Sequence, residues 1–303
     1  MKLLITPALQ MSQEQIEKLK KNHQLYFLID EHRCIDINGD GIPYNEIEGI
    51  VCNYFFVYNS IDVLPNLKFI QLTSAGIDRV PVEVIERNNI QLYTAEDSYV
   101  IPMAEWAITK VLDIYKKSDR FFRKQRGKKW EKDRDIQELY GKNALIIGFG
   151  NVGSNIAYRL KSFGINIVGV FFNNCPPDKD IEAVHFSQLG EKIKDADIIF
   201  LTCALSKETF HIMDDQLLKR VKKGAVLVNV SRGALIDERA LVKEANRFLG
   251  IALDVFENEP LDSSSVFWRM NNVFISPHNS FVGERNQDRL FSVVMRNLNK
   301  EVF

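Results

Sequence analysis

NALIIGFGNVGSNIAYRLKSFGINIVGVFF, residues Asn143–Phe172, is the stretch from which the fold can be read. Ala144–Ile147 is an apolar run of strand length that leads directly into Gly148-Phe149-Gly150-Asn151-Val152-Gly153. Beyond the glycines, Val152, Ile156, Ala157, Leu160 and Phe163 recur at helical spacing. Gly164 supplies a helix stop, and Ile165–Phe171 reads as a second, β-branched strand. A G-x-G-x-x-G string alone says little, because glycines gather in many turns. Between a strand and a helix, inside a unit of about thirty residues, it is the dinucleotide-binding fingerprint. Gly148 permits the tight turn, Gly150 the approach of backbone to a pyrophosphate, and Gly153 close packing of helix on strand. Asn151 and Val152 open the helix, whose unpaired N–H groups and positive dipole end suit phosphate.

Outward from this unit, the bulk properties set limits. The chain has 303 residues, 46% hydrophobic and 26% charged, which suits a globular protein with room for two domains. A net charge of −1 gives no electrostatic reason to expect nucleic acid or an acidic membrane as partner. Met1–Leu9 has too brief an apolar run for a secretory signal, and no stretch reaches the length of a membrane span. Cys34, Cys52, Cys175 and Cys203 are scattered, as expected of reduced thiols in a cytoplasmic protein.

The first hundred residues alternate short apolar strands (Leu3–Thr6, Gln24–Ile29, Gly49–Cys52, Phe69–Leu72, Gln91–Tyr93) with polar helical stretches such as Ser12–Lys21. This pattern predicts a small α/β domain with parallel, crossover-connected strands. Asp36-Ile-Asn38-Gly-Asp40-Gly41 matches the opening of a calcium loop, but Ile47 stands where the bidentate Glu belongs, so no metal is expected. The Phe69–Leu72 strand runs into Thr73-Ser74-Ala75-Gly76, small residues whose backbone N–H groups are suited to an anion or simply to a loop. Glu96–Pro102 reads as a hinge before one long helix over Met103–Gln125. The basic run in its second half is interrupted by Asp113, Asp119 and Glu131, which favours a solvated face or subunit contact over nucleic acid.

After the Gly-rich unit, near-continuous apolar runs at Asp197–Thr202, Ala225–Val230, Gly250–Val255 and Val273–Ser276 are predicted strands of a parallel sheet covered on both faces. Helical patterns at Asp214–Val221 and Asp237–Asn246 lie between them, and Gly283–Phe303 is a C-terminal helical pattern. Reagents in such a sheet sit beyond strand C-termini. Three of these ends carry Ser231-Arg232-Gly233, Asp254-Val-Phe-Glu257-Asn-Glu259-Pro260 and Pro277-His278-Asn279-Ser280. An arginine suits a substrate carboxylate, a histidine can protonate a ketone oxygen, and a carboxylate beside it favours the imidazolium. Each is also common as a solvated surface group.

Taken together, these residues resemble the D-isomer-specific 2-hydroxyacid dehydrogenase family over nearly the whole chain. The resemblance rests on QLTSAGID, IPMAE, ELYGKNALIIGFGNVG, ETFHIMDDQLLKRVKKGAVLVNVSRGALIDERALV, GIALDVFENEP and NNVFISPHNS. It implies two α/β domains with a cleft between them. A Rossmann-type doubly wound parallel sheet (99–279) is inserted in a smaller flavodoxin-like substrate domain (1–98 and 280–303), and the family is usually dimeric through its cofactor domain. It implies hydride transfer between NAD or NADP and a small 2-keto or D-2-hydroxy acid. By motif, Arg232 would bind the substrate carboxylate, His278 would be the acid/base and Glu259 its partner. Asp254 would contact the nicotinamide carboxamide, Cys203 would sit on the adenine-side loop, and the Ser74, Ala75 and Gly76 backbone would hold the substrate carboxylate.

Two departures stand out. Where NAD-using members carry an acidic residue, this chain reads Val170-Phe171-Phe172-Asn173-Asn174. Loss of that charge removes the repulsion against a 2′-phosphate and favours NADP, with Asn173, Asn174 and Lys179 as donors, although no Arg stands where NADP users usually carry one; the alternative is that Phe171 merely covers the adenine pocket. A proline usual near Ala204 is also missing. A formate dehydrogenase of the same fold has Gln where this chain has Glu259, and a corepressor-like nicotinamide-sensing scaffold keeps similar residues. Cys52, Asn53 and Tyr54 are candidates to line the substrate side-chain pocket, and the lack of a basic cluster near TSAGID argues against a phosphorylated substrate.

Overall fold

The computed structural model describes residues 1–37, 39–172 and 181–300. It divides into two compact units, Met1–Tyr99 with Gly283–Phe303, and Val100–Val282.

In the first unit, five strands form one parallel sheet: β1 (Lys2–Ile5), β2 (Gln24–Phe27), β3 (Gly49–Cys52), β4 (Phe69–Leu72) and β5 (Gln91–Tyr93). Their order, β2-β1-β3-β4-β5, is the flavodoxin-like one. The helix Gln13–Lys20 starts where the sequence places it. Ser12 accepts from the Gln15 N–H at 3.3 Å, and Gln15 Oε1 accepts from the Ser12 N–H at 2.9 Å. The C-terminal helix Asn286–Lys300 packs Leu290, Phe291, Val294 and Leu298 with Leu3, Ile5, Val51 and Phe69.

One polar contact is embedded in that packing. Asn297 Nδ2 donates to Gln71 Oε1 at 2.9 Å, and Gln71 Nε2 donates to the carbonyls of Leu72 (2.9 Å) and Thr94 (2.8 Å). Both side chains are fully buried, so removing the donor strands an acceptor away from water. Asn297→Ala is therefore expected to destabilise this unit by about 1–3 kcal/mol. A urea melt of the variant beside the parent chain measures it.

In the second unit, seven strands form another parallel sheet: β6 (Asn143–Ile147), β7 (Asn166–Phe171), β8 (Glu182–His185), β9 (Ile198–Leu201), β10 (Ala225–Asn229), β11 (Phe248–Leu253) and β12 (Val273–Ile275). The order β12-β11-β10-β9-β6-β7-β8 runs outward from β6 in both directions. The β6–β9 boundary is thus a topological switch point, where sheets of this kind bind ligands beyond the strand ends. Alternation places Leu145, Ile147, Ile199, Leu201 and Leu227 in one core and Ala144, Ile146, Ile198, Phe200 and Val228 in the other. That two-sided burial is the physical reason the strands read as unbroken apolar runs.

The segment expected as one helix over Met103–Gln125 is two, Val100–Lys116 and Ser118–Arg126, broken at Lys117 (φ 52°). The first helix has a continuous buried stripe, whereas the second buries no residue and so has no packing to keep it in line. Lys117 Nζ instead reaches Asp133 at 3.3 Å, and Arg120 pairs with the same carboxylate. Pro102 is not ahead of the helix but in its first turn, where a missing N–H costs little. The edge strand β8 gave no usable sequence signal. Its four residues, EAVH, are too few to establish a period.

Candidate active site

The fingerprint loop has the geometry its glycines suggest. Gly148 has φ 98°, and a Cβ there would stand 2.3 Å from the Cys203 nitrogen, so only glycine fits the β6 turn against the β9 end. A Cβ on Gly153 would meet the Gly148 carbonyl oxygen at 2.6 Å, the close helix–strand approach expected of the third glycine. Gly150 caps the helix Asn151–Leu160, and a Cβ there would find nothing within 4 Å. Open space in front of a ten-residue helix N-terminus fits a dinucleotide pyrophosphate. Phe171 ends β7 with its ring edge-on to His185 at 5.7 Å between centroids. Asn173, Asn174 and Lys179 lie outside the described residues.

Cys203 follows β9, 5% exposed. Burial pushes its thiol up to about 12, so it stays protonated and unreactive near neutral pH. Its backbone carbonyl accepts from Ser231 Oγ at 2.5 Å, which ties the β9 end to the β10 end.

Arg232 stands in that β10-end loop, ahead of the short 3-10 turn Gly233–Leu235. The fully buried Asn229 clamps the loop, with Oδ1 accepting from the Ser231 N–H at 3.0 Å and Nδ2 donating to the Arg232 carbonyl at 2.8 Å. Arg232 Nη1 donates to the Ser231 carbonyl at 2.9 Å. From the sequence alone Asn229 had no role. The signal was there: an amide as the last residue of an otherwise apolar strand has to find partners.

The β10 and β11 ends touch through backbone, since a Cβ on Gly233 would lie 1.8 Å from the Phe256 carbonyl carbon. Three residues past Phe256, Glu259 turns back and its Oε1 accepts the Phe256 N–H at 3.1 Å. Its other oxygen, Oε2, lies 2.7 Å from His278 Nδ1. A carboxylate can only accept, so Nδ1 carries the hydrogen and Nε2 is the ring nitrogen left for other chemistry. The two side chains are 35% (Glu259) and 37% (His278) exposed, open enough to meet a ligand.

His278 has φ 50°, a left-handed conformation that is unfavourable for a non-glycine residue and needs outside support. Asp254, fully buried at the end of β11, supplies it. Its carboxylate accepts from Ser276 Oγ, from the Asn279 N–H at 2.7 Å and from the Ser280 N–H at 2.9 Å, while its carbonyl accepts from the His278 N–H at 2.7 Å. The sequence offered Asp254 as a cofactor contact and gave no hint of this loop-holding role, which depends on backbone groups that become neighbours only once β11 and β12 pair. Asp254→Ala would leave two loop N–H groups unpaired and free the histidine backbone. It is expected to lose about 1–3 kcal/mol of stability and turnover together. Parallel melts and rate measurements check both.

The structure thus brings Arg232, Asp254, Glu259 and His278 onto adjoining strand ends of one sheet. Ser74, Ala75 and Gly76 belong to the other unit, beyond the end of β4, where Ser74 Oγ donates to the Gly76 carbonyl at 2.8 Å. Among the described residues no group of His, Cys, Asp and Glu side chains has the arrangement to hold a metal, and no helix is long and apolar enough to cross a membrane.

Comparison with known proteins points one way. Residues 108–280 match the family model described as D-isomer specific 2-hydroxyacid dehydrogenase, NAD binding domain. A glyoxylate reductase of Thermococcus gammatolerans is 32% identical over 247 residues, covering 78% of this chain and 74% of that protein. A glyoxylate/hydroxypyruvate reductase of Arabidopsis thaliana is 30% identical over 240 residues, covering 78% and 73%. The crystal structure of a glyoxylate reductase from Paecilomyes thermophila superimposes with a TM-score of 0.84 at 24% identity, over 99% of this chain and 94% of that one.

Proposed function

The chain belongs to the D-isomer-specific 2-hydroxyacid dehydrogenase family as an NAD(P)-dependent enzyme, and from that premise we propose that it reduces a small, unphosphorylated 2-keto acid to the D-2-hydroxy acid. The observation that carries the residue roles is the 2.7 Å pair between Glu259 Oε2 and His278 Nδ1. When bound, the reduced nicotinamide supplies the hydride. Gly148, Gly150, Asn151, Val152 and Gly153 would hold its pyrophosphate, with Phe171 and Cys203 on the adenosine side; Asp254, expected from the sequence at the carboxamide, is fully buried and serves instead to hold the His278 loop.

His278 holds a proton at Nε2 and delivers it to the substrate's carbonyl oxygen as charge develops there. Glu259 fixes the ring by its Nδ1 hydrogen and stabilises the imidazolium that donates. Arg232 binds the substrate carboxylate by a forked pair of hydrogen bonds and polarises the carbonyl, and the Ser74, Ala75 and Gly76 amides of the first unit are themselves suited to a carboxylate. The likeness to glyoxylate and glyoxylate/hydroxypyruvate reductases supports glyoxylate or hydroxypyruvate as substrate. NADP is the proposed cofactor, because β7 ends in Phe171, followed by Phe172, with no carboxylate to repel a 2′-phosphate. The working form is a cytoplasmic homodimer. Trp130, Tyr140 and Tyr158 of the second unit are each at least 74% exposed in the single chain, as surfaces awaiting a second copy would be.

The experiment is a panel of 2-keto acids (glyoxylate, hydroxypyruvate, pyruvate, branched acids) assayed with NADH and with NADPH, with the configuration of the product determined for every acid but glyoxylate, whose product is achiral. Oxidation of NADPH in preference to NADH, with a D-product, is the expected result. Binding of either nicotinamide without turnover of any acid would remove the proposal.

A further inference from the structure

The binding edge of the first unit's sheet carries a cation that the reaction as described leaves unused. β3 and β4 pair in register, Cys52 opposite Leu72, and the Thr73 N–H donates to the Cys52 carbonyl at 2.9 Å. Asn53 and Ser74 therefore begin neighbouring strand-end loops, a strand spacing of about 5 Å apart. Arg79 folds back onto the Asn53 side. Its Nη1 donates to Asn53 Oδ1 at 2.9 Å, and its guanidinium carbon lies 4.1 Å from the centre of the Tyr54 ring.

Both supports are themselves fixed. The Asn53 N–H donates to Glu31 Oε2 at 2.9 Å, with Glu31 only 4% exposed in the loop that follows β2. The Tyr54 ring stacks at a tilt on His32, 4.6 Å between centroids. A planar guanidinium held on an aromatic face by one side-chain hydrogen bond is pre-organised, and a guanidinium has only donors to offer. It can recognise only an acceptor. A 2-keto acid whose carboxylate is held by the Ser74–Gly76 amides, as proposed above, would lie at this same edge.

Resting on the keto-acid reading above, we propose that Arg79, positioned by Asn53 and Tyr54, is the specificity residue of the enzyme. It selects 2-keto acids that carry an acceptor oxygen on the carbon beyond the keto group, as a hydroxyl or a second carboxylate. A site built to hydrogen-bond such a group discriminates strongly against the analogue lacking it, because a partly buried donor is otherwise left without a partner. The bland alternative is that Arg79 merely staples its own loop, which would weaken every substrate alike.

The test compares kcat/KM for hydroxypyruvate and oxaloacetate with that for glyoxylate and pyruvate, in the full-length parent chain, Arg79→Ala and Arg79→Lys. The parent chain should favour an acid with the extra oxygen. In Arg79→Ala the ratio of that acid to its plain counterpart should fall about tenfold or more, and Arg79→Lys should recover part of it. A change confined to hydroxypyruvate identifies the hydroxyl as the group read, and one confined to oxaloacetate the carboxylate. Equal losses on all four acids, or an unchanged ratio, would overturn the inference while leaving the keto-acid reading intact. A parent chain inactive on every acid would overturn that reading, and this inference with it.

Discussion

His278→Ala is expected to lower kcat for 2-keto acid reduction by about 10²–10⁴-fold, the usual worth of a placed general acid. The fold should survive, because the side chain is 37% exposed and among the described residues hydrogen-bonds to Glu259 alone. Nicotinamide binding should survive as well, since the fingerprint loop after β6 does not depend on the imidazole. Glu259→Gln separates the parts of the pair. An amide can still accept the Nδ1 hydrogen but carries no charge to stabilise the imidazolium, so its loss should be smaller than that of the histidine. Rates and cofactor titrations on both variants decide this. A His278→Ala enzyme with parental kcat would remove the imidazole from the mechanism.

Gly233→Ala should have the second-largest effect, by a different route. The added Cβ would lie 1.8 Å from the carbonyl carbon of Phe256, 2.2 Å from its oxygen and 2.3 Å from the Glu257 nitrogen. All three are backbone atoms, so no side-chain rotation relieves the contact and the two loops must part. Overpacking of this kind costs about 1–3 kcal/mol or more. The displaced loops carry Arg232 on one side and Glu259 on the other, and a misplacement of about 1 Å at reacting groups costs on the order of 100-fold in rate. A lowered melting temperature together with a large loss of kcat/KM is expected. A parental melting temperature with parental rate would mean that the β10 and β11 ends do not meet as described.

The sequence was most legible where packing repeats a simple pattern. Leu145 and Ile147 face one core and Ala144 and Ile146 the other, and that two-sided burial is why β6 reads as an apolar run. The helix start at Ser12 and the turn at Gly148 were legible because each depends on residues a few positions apart. The helix break at Lys117 was not, because the ion pairs at the turn come from Asp133, sixteen residues on. Of the site, the residue types at the strand ends could be read, but not the means of holding them. Asn229 clamping the Arg232 loop and Asp254 propping His278 both work through backbone N–H and C=O groups, which leave no trace in residue identity. The Arg79–Asn53–Tyr54 cluster was half visible. Asn53 and Tyr54 were candidate pocket residues, whereas Arg79 joins them across 26 positions and only in the folded chain.

A crystal structure of the chain with NADPH and oxamate, a non-reducible mimic of a small 2-keto acid, examines the proposed chemistry without relying on rates. His278 Nε2 should lie about 3 Å from the oxamate carbonyl oxygen, with the Arg232 guanidinium forked onto its carboxylate and the nicotinamide ring alongside. Oxamate bound away from both side chains, with Glu259 and His278 still paired, would contradict the mechanism.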